Sequence, residues 1–143
     1  MQQDSQTVVI GGDDGLVQAF DIATHELIDV WPVGAKITAL ATFGLEEGGH
    51  INACATNTGN LIIRQDWEEI VPRYHDCGIK TINDLQFSKN GLLLAAASSD
   101  KNVYLFQYQD GDYIKMHACK LENGYPISVN FSYDSKKIVI CTN

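Results

Sequence analysis

The sequence predicts an all-β chain of repeated four-stranded antiparallel blades. A recurring spacing, a recurring turn and a set of short apolar runs predict it. "FSKNGLLLAAASS" (residues 87–99) and "FSYDSKKIVICTN" (residues 131–143) align without a gap at a separation of 44. At an offset of 86, Val8 falls on Leu94, Asp14 on Asp100, Val17 on Val103 and Phe20 on Phe106. A third copy, "ACATNTGNLIIRQ" (residues 53–65), precedes the Leu94 unit by 42 positions. A period of roughly 42 to 44 residues suits one four-stranded propeller blade.

Each strand of the blade then follows in order. The innermost strand is "ITALATF" (37–43), "INDLQFS" (82–88) or "ISVNFS" (127–132). The second is "VVIGG", "INACAT", "LLLAAAS" or "KIVICT", short continuous apolar runs suited to burial on both faces. The third is "LVQAFDI", "NLIIRQD" or "NVYLFQY", and the outer one is "ELIDVWPV", "EEIVPRY" or "YIKMHAC". Pro72 falls in an outer strand, where an edge tolerates a missing donor. Small residues at Gly11, Gly12, Ala55, Ala96 and Ala97 fit the close approach of neighbouring blades. Residues 1–143 thus read as a single partial propeller. It has an incomplete blade at 7–33, whole blades at 35–77 and 79–121, and the first half of a further blade at 125–143. A closed propeller takes about four to eight blades. About three therefore imply a piece of a longer protein, or chains that self-associate through open blade edges.

The repeat also interprets Asp13-Asp14-Gly15. The same position carries Asn57-Thr58-Gly59 and Ser99-Asp100-Lys101, so the segment is a turn between second and third strands. A calcium loop needs several more oxygen ligands at fixed spacing. No metal or other cofactor is expected.

Composition narrows the function. Hydrophobic residues make up 45%, a globular value. The net charge is −8 and uneven: residues 1–71 carry 2 basic and 11 acidic side chains, residues 72–143 carry 8 and 7. No polybasic tract points to nucleic acid, and no apolar run approaches the ~20 residues that span a bilayer. "MQQDSQ" has no signal-peptide character. Cys54, Cys77, Cys119 and Cys141 show no metal-ligand spacing, which suits free thiols in a reducing, cytoplasmic setting. Cys54 and Cys141 read as small buried residues of second strands. His25 and His117 fall on outer strands and His50 and His75 beside turns, all read as solvated.

"GGDDGLVQAFDIATHELI" and "INDLQFSKNGLLLAAASSDKNVYLF" resemble WD-repeat (WD40) segments, with Phe20-Asp21 and Phe106-Gln107 at the Trp-Asp position. The resemblance covers nearly the whole chain. No unit has the Trp-Asp pair itself or the Gly-His pair before the first strand, so the family's Asp-His-Ser-Trp network cannot form in its usual version. Asp14 and Asp100 keep its turn half. Residues 90–143 are also similar to blades of echinoderm microtubule-associated-protein-like proteins, through Gly91, Leu93, Leu94, Ala95, Ser98, Asp100, Tyr104, Phe106, Ile127 and Ser128. The resemblance implies a non-catalytic protein-interaction scaffold, microtubule- or tubulin-associated and cytoskeletal. The alternatives are a scaffold of a ciliary or regulatory complex and, in another class, a propeller enzyme.

Propeller loops ahead of each first strand share a face with the turns between second and third strands. That places Lys36, Lys80, Tyr125, Asp14, Thr58 and Lys101 together. Lys36, Lys80, Lys101 and Tyr125 are the expected protein contacts, since Tyr offers rigid amphipathic area. One Lys, another Lys and one Tyr in the channel-side loops suit recognition better than catalysis. Ser98-Ser99-Asp100 leads into a strand and is not a nucleophile elbow.

Overall fold

A computed structural model describes residues 7–46, 48–65, 73–76 and 80–143. The described residues are all-β, with thirteen strands in four antiparallel sheets. The first sheet orders β1 (Thr7–Gly11), β2 (Leu16–Asp21) and β3 (Leu27–Pro32). The second orders β4 (Ile37–Gly44), β5 (His50–Thr56), β6 (Asn60–Gln65) and β7 (Arg73–Asp76). The third orders β8 (Ile82–Phe87), β9 (Leu93–Ser98), β10 (Asn102–Gln109) and β11 (Asp112–Lys120). The last pairs β12 (Pro126–Phe131) with β13 (Ile138–Thr142). This is the blade pattern of a WD40 propeller, each hairpin following the last. Pro72 and most of "EEIVPRY" lie outside the described residues; the outer strand of that blade is seen at Arg73–Asp76.

The repeat governs register as well as strand order. Val8 pairs with Phe20, Asn52 with Arg64 and Leu94 with Phe106, the same rung in three sheets. The turns between second and third strands also repeat. The amide N–H of Gly15, Gly59 and Lys101 donates to the carbonyl of Gly12, Thr56 and Ser98, each at 3.2 Å. All three turn residues have positive φ, +72°, +87° and +75°. Gly15 has no alternative there: a Cβ would also stand 3.0 Å from the Ala35 carbonyl oxygen.

The core lies between consecutive sheets. Val17, Trp31, Ile37 and Cys54 join the first blade to the second. Ile51, Leu61, Ile82, Leu94 and Phe106, among others, join the second to the third. Ala95, Ala97, Val103 and Val129 join the third to the fourth. Alternation explains how one strand feeds two clusters: on β9, Leu94 and Ala96 face one neighbour, Ala95 and Ala97 the other. Full burial of both faces is why this strand is so rich in alanine. Gly11 makes a comparable close approach, with Ile37 Cγ2 2.8 Å from where a Cβ would be. Gly12 does not; it opens the turn, its carbonyl accepting from Gly15 and Ile37.

The outermost faces of the array are apolar and open. On the first blade Val8, Ile10, Ile22, Leu27, Ile28 and Val30 are exposed. On the last, Ile127 and Val139 are exposed. Cys141 corrects the expectation of a buried second-strand cysteine: it is exposed, because it points with Val139 to the side away from the third blade.

Candidate functional site

The channel-side loops are held by a feature of the inner strands. β4, β8 and β12 each slip register against the second strand at one place, so that Thr38, Asn83 and Ile127 are bulged. A bulge re-aims its side chain. Thr38 Oγ1 donates to the Ile82 carbonyl at 2.5 Å, and Asn83 Nδ2 to the Pro126 carbonyl at 2.8 Å. Each bond runs from one blade to the start of the next blade's inner strand. Asp84, beside the second bulge, accepts from Ser128 Oγ and the Val129 amide, both at 2.9 Å. The family similarity marked Ile127 and Ser128, but no sequence motif flagged Thr38, Asn83 or Asp84. The signal available was a polar residue following Ile37 and Ile82, at an otherwise apolar strand start.

Loop contacts continue the chain across the face. The Asn57 amide donates to the Lys36 carbonyl at 3.0 Å, Thr81 Oγ1 to the Asn57 carbonyl at 3.2 Å, and the Ser99 amide to the Thr81 carbonyl at 2.8 Å. The Tyr125 amide meets Asn143 Oδ1 at 3.0 Å. The platform is therefore tied from the second blade to the third by backbone and short side chains, leaving the longer ones outward.

The four expected contact residues differ in state. Lys36 pairs with Asp13 at 2.8 Å, both exposed, so its charge is largely matched. Lys101 lies with Nζ 5.2 Å from the Tyr125 ring centroid, a cation–π contact that bridges the third and fourth blades. Lys80 is exposed at the start of the third blade, and no described contact joins it to the other three. Asp14 Oδ1 accepts from the Leu16 amide at 3.1 Å, and Thr58 Oγ1 meets Thr56 Oγ1 at 2.9 Å, so both serve their turns.

Asp100 does more than cap. It accepts from the Asn102 amide at 2.9 Å and from the Tyr104 hydroxyl. Burial acts to raise its pKa, but the Tyr104, Asn102 and Ser98 hydrogen bonds outweigh burial and hold the carboxyl below its ordinary value. A Ser98–Asp100–Tyr104 cluster thus stands where the family's four-residue network is missing.

The middle repeat departs further. Arg64 occupies the rung of Phe20 and Phe106, and forms an ion pair with Asp29 at 2.7 Å, 10% and 22% exposed. Its guanidinium lies 4.8 Å from the Trp31 ring centroid. The offset of 42 from Phe106 marks Arg64 in the sequence, but nothing in one chain identifies Asp29 as its partner.

Among the described residues, no three His, Cys, Asp or Glu side chains converge as for a metal. His75 is not a solvated residue: it lies in β7, edge-on to Phe106 at 5.7 Å and 3.3 Å from Asp112. His50 opens β5 and is partly buried, and His25 sits in the turn before β3 at φ +61°. Burial pushes the Cys54 thiol up to about 12, far from a nucleophile's range. No described helix is long and apolar enough to cross a membrane.

The sequence family described as the anaphase-promoting complex subunit 4 WD40 domain matches residues 49–135. The ciliary WD repeat-containing protein ctxp80 of Euplotoides octocarinatus is 24% identical over 156 residues, covering 94% of this chain. The chain spans 21% of the length of that relative.

Proposed function

The chain belongs to the anaphase-promoting complex subunit 4 WD40 domain family, and from that premise we propose a non-catalytic protein scaffold whose contact face is built on Lys80, Lys101 and Tyr125, with Lys36 at its margin. WD40 domains mediate protein–protein interactions and are typically non-catalytic. The observations that support the residue assignment are the hydrogen-bonded loop platform of the second and third blades and the Lys101–Tyr125 contact between the third and fourth. Lys101 and Tyr125, already in contact, lose less freedom on binding, which favours affinity.

The partner in this reading is tubulin or the microtubule, in a cytoplasmic, cytoskeletal setting. The net charge of −8 opposes encounter with an acidic surface. The more basic second half, which contains Lys80 and Lys101, answers that difficulty. A second reading, a scaffold within a ciliary or regulatory complex, draws support from the ciliary name of the relative. In both, residues 1–143 form one partial propeller with blades at 7–33, 35–77, 79–121 and 125–143.

The test is capture of purified tubulin by the chain and by a variant carrying Lys80→Glu, Lys101→Glu and Tyr125→Ala. Loss of capture in the variant supports both partner and face. Equal capture overturns the face. No capture by the unaltered chain overturns tubulin as the partner.

A further inference from the structure

We propose that the opposite end of the last two blades carries a second contact surface, formed by Lys89, Tyr133, Lys136 and Lys137, that takes an extended acidic peptide segment. The turns that build it are copies of one another. Ser88 and Ser132 each accept from the amide five residues on, Leu93 at 2.9 Å and Lys137 at 3.0 Å, through Oγ. Each also donates from Oγ to the side chain two residues on, Asn90 at 2.8 Å and Asp134 at 2.6 Å. These internal bonds fix the loops without using the side chains that point outward.

Tyr133 is 82% exposed, the most open of the large apolar side chains on the described surface. Its ring is nonetheless held, because Lys89 Nζ lies 3.3 Å from its centroid. Lys136 and Lys137 follow in the same turn and are exposed. The carboxylate within this turn, Asp134, is turned onto Ser132 Oγ and the Lys136 amide. No described carboxylate forms an ion pair with Lys89, Lys136 or Lys137, in contrast to Lys36, which Asp13 matches. The corresponding turn of the second blade reads Leu45-Glu46-Glu47-Gly48-Gly49, with no lysine. Lysine in these inner turns is therefore confined to the third and fourth blades, and the outer turn of the third blade at the same end carries Asp110 and Asp112. Three ammonium groups with no described carboxylate partner, one of them on the Tyr133 ring and two in the same turn, suit a partner with spaced carboxylates and an apolar side chain to lie on the ring.

The proposal rests on the reading of the chain as an interaction scaffold, but on residues separate from Lys80, Lys101 and Tyr125. The experiment is fluorescence anisotropy of a labelled oligo-glutamate peptide titrated with the 143-residue chain at low salt. Saturable binding is expected, weakened roughly tenfold by Lys136→Glu with Lys137→Glu and severalfold by Tyr133→Ala, and retained by Tyr133→Phe. Lys80→Glu with Lys101→Glu should leave it unchanged. Melting curves of the Tyr133 variants should match the unaltered chain, since the ring is largely in solvent. Absence of saturable binding, or equal loss from the Lys80 and Lys101 changes, overturns the proposal. So does tighter binding of labelled oligothymidylate through the same residues, which would make the surface a single-strand nucleic-acid site. Failure here with tubulin capture still dependent on Lys80 and Lys101 leaves the scaffold reading in place.

Discussion

At the scale of the residue, the turns between second and third strands show how position outranks identity. Gly15, Gly59 and Lys101 hold the same left-handed conformation with the same 3.2 Å bond. A lysine there carries strain of about 1 kcal/mol that a glycine does not. Gly15 is the strictest of the three, since the Ala35 backbone fills the space beside it. Gly15→Ala is expected to cost about 1–3 kcal/mol in urea unfolding. Asp100 yields a second residue-scale expectation. Its carboxyl is lowered in the fold, so its contribution is complete above the unfolded pKa, about 4, and is lost as pH falls through the lower folded value. Melting temperature should fall on the acid side of pH 4, and Tyr104→Phe should flatten that acid limb. The turn function of Asp14 and Asp100 was legible from sequence; the family run also marked Ser98, Asp100 and Tyr104 singly, but their hydrogen bonding to one another was not legible, because spacing in one chain does not show which side chains meet.

At the scale of the element, strands were legible because turns and apolar runs recur with a fixed period. Predicted and observed strands agree within a residue or two over most of the chain. The bulges were not legible. A one-residue slip in pairing leaves the apolar pattern of the partner strand intact, and only the ladder reveals it. Yet the bulges carry the side chains that tie one inner strand to the next. Asp84→Ala removes the acceptor for both Ser128 Oγ and the Val129 amide and is expected to destabilise the chain by about 2–3 kcal/mol. Thr38→Val keeps shape but deletes one donor, and about 1 kcal/mol is expected, read in the same unfolding assay. Arg64 shows the limit in the other direction. A repeat position read as apolar in two copies is filled in the third by a charge, tolerated because Asp29 and Trp31 of the preceding blade meet it.

At the scale of the whole molecule, the blade order and the all-β class followed from the repeat, while the chemistry of the exposed surfaces did not. Open apolar faces bracket the array, and each has an internal counterpart that is covered. Val8, Ile10 and Phe20 correspond by the offset of 86 to Leu94, Ala96 and Phe106, which are fully buried against the second blade. Exposure of Val8 and Ile10 predicts self-association of the 143-residue chain. Light scattering over a tenfold concentration range is expected to show a mass above 15.8 kDa, and Ile10→Lys to return it toward that value. A monomer at every concentration would show that these faces do not meet one another. The links between inner strands lead to a different consequence. Beside the Asp84 link, which uses the Ser128 hydroxyl, two of them join a side chain on one blade to a main-chain carbonyl on the next, Ile82 in one case and Pro126 in the other. Any amino acid supplies that carbonyl. The receiving half of the joint therefore places no demand on sequence, and only the donating half must be inherited. A coupling with a universal socket lets one blade drift, duplicate or be exchanged without waiting for its neighbour to change in step. It offers a physical route by which copies this dissimilar still stack as one array.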